Sequence, residues 1–211
     1  MSVTVPDGVR AWFGRAQDAG LLGPADIEDH LRHAERFRDA LAGSAEDQPV
    51  RALDLGTGAG LPGLVLAAWW PSSTWVLMDG KQKRAALLST AVRGLEPGLA
   101  DRVEVRCARA EAMAHEPQWR EQFDLVVARS FGPPAVVAEC AAGFLRIGGR
   151  LAVSEPPPGE DDTVSRWPAS VEQLGLERGA CAASIQLLHK TEPTGTTFPR
   201  RIGMPAKRPL F

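Results

Sequence analysis

The stretch RALDLGTGAGLPGLVLAAWWP, residues 51–71, joins an apolar run, a glycine-rich bend and the start of a helix within one short segment. The apolar residues of ALDL (52–55) are typical of a buried strand, although this strand also carries an acid, Asp54. A strand followed at once by glycines and a helix start predicts a crossover of an α/β fold, with a bend that approaches a ligand closely. The glycines concerned are Gly56, Gly58, Gly60 and Gly63.

Beyond this stretch, short apolar runs alternate with helical stretches as far as residue 155. Such alternation predicts helical crossovers and a parallel sheet with helices on both faces, which is a doubly wound α/β fold. Two further strand candidates follow at 176–183 and 184–191. At the other end of the chain, residues 7–42 are predicted to form an N-terminal helical cap of two helices. Gly-Pro at 23–24 separates these helices, and Pro24 lies near the first turn of the second. The main predicted strands are RALDLG (51–56), TWVLMD (74–79), RVEVRC (102–107), FDLVVARS (123–130) and GRLAVSE (149–155).

The bulk composition excludes several classes of protein. A chain of 211 residues suits one domain with a substantial core. Its 24 Lys and Arg are balanced by 26 Asp and Glu, so that the protein as a whole does not attract polyanions and a contact with one needs a local basic patch. Three widely spaced cysteines argue against a disulfide framework or a zinc site. The first residues lack a signal-peptide pattern, and no apolar run is long enough to cross a bilayer. We therefore expect a soluble protein of a reducing cytoplasm, without membrane contact or a bound metal.

The ligand of the glycine bend is indicated by the acids around it. The second predicted strand ends in Asp79, 19 residues beyond Gly60, where a carboxylate can accept both hydroxyls of a ribose. A dinucleotide site usually has the pattern G-x-G-x-x-G, whereas this bend is G-T-G-A-G-L-P-G. Because Asp54 can receive an ammonium group, an amino acid joined to a nucleoside, S-adenosylmethionine, is favoured over NAD. The alternative is a bend that only packs a helix on a strand, with Asp79 a solvated acid.

The third predicted strand and the turn after it supply the adenine side of this hypothesis. In RCARAEAM (106–113), a main-chain N–H at Ala110 and the acid Glu111 are placed where they can flank adenine. The simpler interpretation of Glu111 is an acid in the first turn of a helix, where the helix dipole favours it.

The turn after the fourth strand limits the chemistry of methyl transfer. ARSFGPP (128–134) lacks the Asn/Asp-Pro-Pro-aromatic turn used for methylation of adenine amino groups, and Cys140 lies within a predicted helix rather than in a turn suited to attack on cytosine. Transfer from a sulfonium mostly requires alignment, and a base only where the acceptor must lose a proton. What remains is an acceptor with a ready lone pair, such as a ring nitrogen, or deprotonation by a residue that the sequence does not identify.

Several motifs together resemble the RsmG (GidB) family. They are LDLGTGAGLPGLVLA, LMDGKQKRAALLSTAVRGLE, RCARAEAM, FDLVVARSFGPP, LRIGGRLAV and FPRRIGMPAKRPL, and the similarity spans roughly residues 50–211. Its most specific parts are the LPG extension of the bend and the closing P-R-R-x-G-x-P-x-K-x-P-L. The resemblance implies a Rossmann-like class I methyltransferase that uses S-adenosylmethionine to methylate guanine N7 in bacterial small-subunit rRNA. We divide the chain into an N-terminal helical cap (1–48), a Rossmann-like cofactor-binding domain (49–198) and a basic tail (199–211).

The resemblance also assigns roles to individual residues on the donor side. Asp79 would hold the ribose, and Ala110 and Glu111 would flank adenine. Arg129 would lie beside the methyl donor at the acceptor entrance, as a catalytic residue that also binds the cofactor. The alternative for Arg129 is an arginine at a strand end, paired with an acid. The methionine part would be lined by Gly56, Thr57, Gly58, Ala59 and Gly60, with Asp54 beneath it.

The basic tail is the expected contact for RNA. It carries four cations and no acid over 199–211, and phosphate contacts from such a patch position RNA without reading its sequence. The alternative is a solvated, mobile terminus. The tail residues that match the family are Pro199, Arg200, Arg201, Lys207 and Arg208.

The sequence departs from the family on the acceptor side. The family's Asn-Leu-Thr motif is absent, and its His-x-x-Asp-Ser motif is reduced to the surroundings of His30 and His33, which we interpret as surface or capping residues. The Lys-Gly pair that ends the family's fifth strand is replaced by Glu155, an acid that we expect to contact substrate, repel phosphate and favour a cationic or neutral acceptor.

These departures leave three hypotheses open. The first is an rRNA guanine-N7 methyltransferase acting on the small ribosomal subunit. The second is a small-molecule or peptide N/O-methyltransferase on the same scaffold, with a changed acceptor site. The third is a non-catalytic protein that binds S-adenosylmethionine or docks on RNA. Incubation with labelled S-adenosylmethionine and a cell extract separates them. The three hypotheses predict label in RNA, label in the low-mass fraction and no transfer of label, respectively.

Overall fold

The computed structural model describes residues 4–42, 51–156 and 166–211 and contains a seven-stranded sheet in the order β3-β2-β1-β4-β5-β7-β6. Strands β1 to β5 are all parallel to one another, whereas β7 is antiparallel to both β5 and β6. The mostly parallel, doubly wound sheet predicted from the sequence is confirmed. The strands are β1 (Arg51–Leu55), β2 (Thr74–Asp79), β3 (Val103–Cys107), β4 (Phe123–Ala128), β5 (Leu145–Ser154), β6 (Leu176–Ala182) and β7 (Ile185–Lys190).

The helices follow the predicted crossovers, with one difference at the start of the second helix. The second helix begins at Ile27, because the carboxylate of Asp26 caps it by accepting from the N–H of Glu28, and Pro24 therefore lies before the first turn. After Pro168 the chain forms a 3₁₀ helix, Ala169–Leu174. The α-helices are α1 (Asp7–Asp18), α2 (Ile27–Leu41), α3 (Gly63–Trp69), α4 (Gln82–Arg93), α5 (Pro97–Ala100), α6 (Ala110–Met113), α7 (Pro134–Ala142) and α8 (Met204–Lys207).

The sheet is covered by apolar side chains on both faces, as the alternation of its strands requires. Helices α1 to α4 pack on one face, around Phe13, Phe37 and Leu66. Helices α6 and α7 and the 3₁₀ helix pack on the other face, around Phe144 and Trp167. Since α1 and α2 share the first core with the sheet, the N-terminal helices are held against it. The proposed boundary at 48/49 lies outside the described residues.

The strand order reverses between β1 and β4, which lie side by side at the centre of the sheet. In open α/β sheets, ligands bind beyond the carboxyl ends of the strands at such a reversal. The glycine bend after β1 and the turn after β4 meet at this edge. The indole N–H of Trp12 also donates to the carbonyl of Ala59 at 2.7 Å, and this ties α1 to the bend.

Candidate active site

The glycine bend has the backbone that its sequence predicted. Gly56, Gly58 and Gly60 have φ values of 74°, 58° and 97°, a region that side chains disfavour. Gly63 is required for a different reason, since a Cβ there would lie 2.6 Å from the Cβ of Asp54. The bend therefore passes directly over the acid of β1.

Asp54 lies beneath the bend and is 1% exposed. Its Oδ2 accepts the hydroxyl of Thr57 at 2.7 Å and the N–H of Gly63 at 2.9 Å, whereas its buried Oδ1 has no hydrogen-bond partner. Burial raises the pKa of Asp54 to about 6, against the opposing effect of these two donors. A buried carboxylate oxygen without a partner fits a cationic ligand group. Thr57 contacts the acid and holds it in place.

Asp79 ends β2 and is buried with both carboxylate oxygens facing the bend and the next turn. Its Oδ2 accepts the N–H of Gly58 at 3.1 Å, and its Oδ1 accepts the N–H of Lys81 at 2.8 Å. Each oxygen of an ionised carboxylate retains a further lone pair, so that the acid can still accept hydroxyl groups. Asp79 is thus fixed beside the bend, where the ribose was expected.

A cavity of about 190 Å³ lies between the bend and α6 and has Ala110 and Glu111 in its lining. Oε1 of Glu111 accepts the N–H of Gly203 at 2.9 Å and a guanidinium N–H of Arg109 at 3.3 Å. Burial raises the pKa of Glu111, but these donors outweigh it and the net shift is downward. The acid therefore also anchors the C-terminal tail, which the sequence did not indicate. Cys140 lines the same cavity, and burial raises the pKa of its thiol.

Arg129 follows β4 and points toward α2. One of its guanidinium nitrogens lies 3.0 Å from Nδ1 of His30, whose Nε2 lies 3.2 Å from the carbonyl of Gly23. A carbonyl can only accept, so Nε2 carries the imidazole proton and Nδ1 accepts from Arg129. Burial lowers the pKa of Arg129, and the nearby Asp54 opposes this. Within the described residues Arg129 has no ion-pair partner, in contrast to the alternative of a strand-end arginine paired with an acid.

The interpretation of His30 and His33 as surface or capping residues is wrong. His30 is 5% exposed, and Nε2 of His33 lies 2.9 Å from the hydroxyl of Ser154 at the end of β5. Burial, followed by the charge of Arg129, lowers the pKa of His33 to about 4. The two histidines share a helix face with Phe37, three and four residues apart, and this spacing was the available indication that they point inward.

A second cavity, of about 380 Å³, adjoins the first at the ends of β4 and β5. Phe131 lines both cavities, and its ring lies on the bend, so that a Cβ on Gly56 would be 2.5 Å from it. Polar side chains of the second cavity come from the strand ends and α2. They include His33, Arg129, Ser154 and Glu155, and the apolar lining includes Val153 and Trp167.

Glu155 lies in this second cavity, but its charge is compensated. Its Oε2 accepts from Arg166 at 2.7 Å and its Oε1 accepts the indole N–H of Trp167 at 2.9 Å. The expected repulsion of phosphate by an uncompensated acid is therefore not supported, because Arg166 and Arg129 line the same cavity. Neither Arg166 nor Trp167 was identified from the sequence, since the pairing joins two segments that are separate in the chain.

The C-terminal tail is packed against the protein, and one of its cations is occupied. Arg200 donates to both carboxylate oxygens of Glu139, at 2.9 and 2.7 Å, and Glu139 is fully buried on α7. Arg200 therefore neutralises an internal charge, and this placement does not support a contact with substrate. The other three cations are exposed around a groove of about 390 Å³, and we call them the tail patch: Arg201, Lys207 and Arg208.

Two absences hold for the described part of the chain. No group of three side chains suited to hold a metal ion occurs within 4–42, 51–156 and 166–211. Within the same residues, no helix combines the length and the apolar character needed to cross a bilayer.

The strand order, the glycine bend and the buried acids of β1 and β2 define the chain as a class I S-adenosylmethionine-dependent methyltransferase. Solved structures share this fold: cofactor-bound Rv0187 from MTB has a TM-score of 0.62 at 20% identity, covering 90% of this chain and 92% of that one. An O-methyltransferase family protein from Burkholderia thailandensis has a TM-score of 0.57 at 17% identity, covering 88% and 62%.

The family is shown by sequence. The model of the family rRNA small subunit methyltransferase G matches residues 15–155. Proteins called ribosomal RNA small subunit methyltransferase G are 34% identical in Symbiobacterium thermophilum, over 97% of this chain and 87% of the relative, and 35% identical in Roseiflexus castenholzii, over 96% and 88%. The chain belongs to the rRNA small subunit methyltransferase G family, which confirms the resemblance found in its motifs.

Proposed function

We propose that this protein transfers a methyl group from S-adenosylmethionine to N7 of a guanine in small-subunit rRNA. The observation that carries the proposal is a pair of adjoining cavities at the strand reversal, with Gly56 of the bend and Glu111 lining one and Arg129 lining the other. The name shared by its relatives, ribosomal RNA small subunit methyltransferase G, supports rRNA as the acceptor.

The donor side is built from the bend and the acids around it. S-adenosylmethionine supplies a methyl group that is already activated on a sulfonium. Oδ1 of Asp54 would accept from the ammonium group, and the main chain of 56–60 would line the methionine part. Asp79 would accept the ribose hydroxyls, and Ala110 and Glu111 would flank adenine beside the smaller cavity.

The acceptor side contributes alignment and polarity. Guanine N7 carries its lone pair at neutral pH, so that the reaction needs no general base and mainly requires a fixed approach. Arg129 is suited to donate to guanine O6 next to N7, because its guanidinium is held in place by Nδ1 of His30. With a pKa of about 4, His33 is neutral near pH 7 and adds no charge to the cavity.

Exposed cations border the site and support RNA as the acceptor. Gly203, which lies between Arg201 and Lys207 in the chain, donates its N–H to Glu111 of the cofactor cavity. The tail patch therefore lies beside this cavity. Lys81 and Lys83, in the turn and helix after Asp79, are exposed as well. Contacts from such side chains to phosphates position RNA and weaken as salt rises.

The test is methylation of small-subunit rRNA and of partly assembled small subunits by the purified protein with labelled S-adenosylmethionine. We expect label in RNA, release of 7-methylguanosine after nuclease digestion, and a rate that falls steeply with salt. Asp79→Asn serves as the control that weakens cofactor binding. Absence of transfer to any RNA at low salt would overturn the proposal.

A small-molecule methyltransferase is the second candidate, and the size of the larger cavity favours it. About 380 Å³ lies within the range of small-molecule sites. The same experiment separates the two candidates, because this one requires label in the low-mass fraction of a cell extract and a rate that is unchanged when the tail patch is neutralised.

A further inference from the structure

The carboxylate of Glu155 is held rigidly in the acceptor cavity by two donors. Arg166 and the indole of Trp167 each bind one of its oxygens, and its side chain is 13% exposed. An ionised carboxylate has about four lone-pair sites. Each oxygen therefore retains one, and Glu155 and Trp167 both line this cavity.

We propose that Glu155 binds the acceptor base by its Watson–Crick edge and thereby selects guanine. This inference rests on the proposed function. Guanine presents two adjacent donors on that edge, N1–H and N2–H, and each would donate to one oxygen of Glu155. Adenine and cytosine have an acceptor at the central position of the edge, and uracil has a single donor between two carbonyls. Reading of an unpaired base by this edge is common in proteins that act on bases.

The positions of the cavity residues place such a base next to the cofactor cavity. Ala128 of β4 pairs with Val153 of β5, so that Arg129 and Glu155 leave adjacent strands at the same edge. A guanine whose Watson–Crick edge contacts Glu155 directs its opposite edge, with N7, away from Trp167. Phe131 lines both this cavity and the cofactor cavity, so that the base would lie next to the cavity of the methyl donor.

The arrangement also explains why an acid is useful where the family resemblance implies a Lys-Gly pair. A lysine cannot accept from N1–H or N2–H, whereas a carboxylate can accept from both. Because Arg166 and Trp167 already fix the carboxylate, little further side-chain ordering is required when the base binds. Arg166 also remains as the counter-ion when the base covers Glu155.

The test compares guanosine monophosphate with inosine monophosphate, which lacks only the 2-amino group. Calorimetric titration in the presence of S-adenosylhomocysteine should give the wild-type protein about tenfold tighter binding of the guanosine nucleotide, as expected for one hydrogen bond to a charged group. Glu155→Gln should lower guanosine affinity by about 10- to 100-fold and abolish the preference, because an amide N–H would then face the base. Glu172→Gln, at an exposed glutamate outside the cavity, is the matched control and should change neither value.

Thermal unfolding and S-adenosylhomocysteine affinity report whether Glu155→Gln is folded. If this variant is not folded, the inference is decided by whether the wild-type protein prefers guanosine monophosphate over inosine monophosphate. Equal binding of the two nucleotides, no binding of either, or a preference that persists in folded Glu155→Gln overturns the inference. If the protein methylates rRNA without this preference, only the role of Glu155 fails. If the preference depends on Glu155 but no RNA is methylated, the guanine site stands and the rRNA acceptor fails.

Discussion

Cofactor affinity should depend on pH through Asp54. Its folded pKa of about 6 lies well above its usual value of 3.8, because it is buried with one oxygen unpartnered. An ammonium group binds the ionised form, so that the association constant for S-adenosylhomocysteine should be level above pH 7 and fall about tenfold for each pH unit well below 6. Asp54→Asn keeps an acceptor for Thr57 and Gly63 but removes the charge, and should weaken binding by about 10- to 100-fold.

The assay is calorimetric titration between pH 5 and 8, with circular dichroism at each pH to confirm the fold. The Asn variant is the control, since its weaker affinity should be nearly independent of pH. The sign for stability is the reverse of that for binding. A raised carboxyl pKa means that the folded state binds more protons than the unfolded chain between pH 3.8 and about 6, so that the Asp54 contribution to stability falls as pH rises through this window. Wild-type affinity that is unchanged from pH 8 to 5 in a folded protein would refute the assignment.

Four other sites give predictions with separate measurements. Arg129→Met should lower the rate of methyl transfer by about 100-fold with little change in S-adenosylhomocysteine affinity, because Arg129 lines the acceptor cavity and not the cofactor cavity. An equal loss of both would contradict this. The pKa of His33 is about 4 in the folded protein and 6.5 in the unfolded chain, so that the free energy of unfolding should fall as pH falls from 6.5 toward 4. In urea unfolding, His33→Asn should show a weaker dependence of this free energy on pH over that range. Neutralising the three cations of the tail patch should raise the KM for rRNA and leave the free energy of unfolding unchanged. The slope of log association constant for RNA against log salt concentration should become less steep by about 2 to 3. Arg200→Gln should instead lower the free energy of unfolding by about 3 kcal/mol, since it leaves buried Glu139 uncompensated, and unchanged stability would refute that role.

The cofactor side of the site could be predicted because its parts are local in sequence. The bend, the acid before it and the acid at the end of the next strand are placed by strand and helix periods alone, and in the structure Asp54 and Asp79 both bond to the bend. The backbone conformation of the bend could also be predicted locally, because the three residues with positive φ values are glycines of the motif.

The acceptor side could not be predicted in the same way. His30 lies 99 residues from Arg129, Glu139 lies 61 from Arg200, and Glu111 lies 92 from Gly203. A helical period tells which face of α2 is buried but not which strand end that face meets. For this reason Arg200 was expected at the RNA surface and His30 at the solvent.

By itself the sequence determined the parallel strands, their crossovers and the cofactor bend, because each follows from residue spacing within about 30 positions. It also determined the family, through motifs that occur along residues 50–211. Only the tertiary structure decided which charges are free and which are neutralised. That depends on how distant segments pack, and packing pairs Arg166 with Glu155 and Arg200 with Glu139 while leaving Arg201 and Lys207 exposed. Electrostatic contacts act over a few ångströms of space, whatever the separation along the chain, so a count of charges in the sequence cannot show which of them reach substrate.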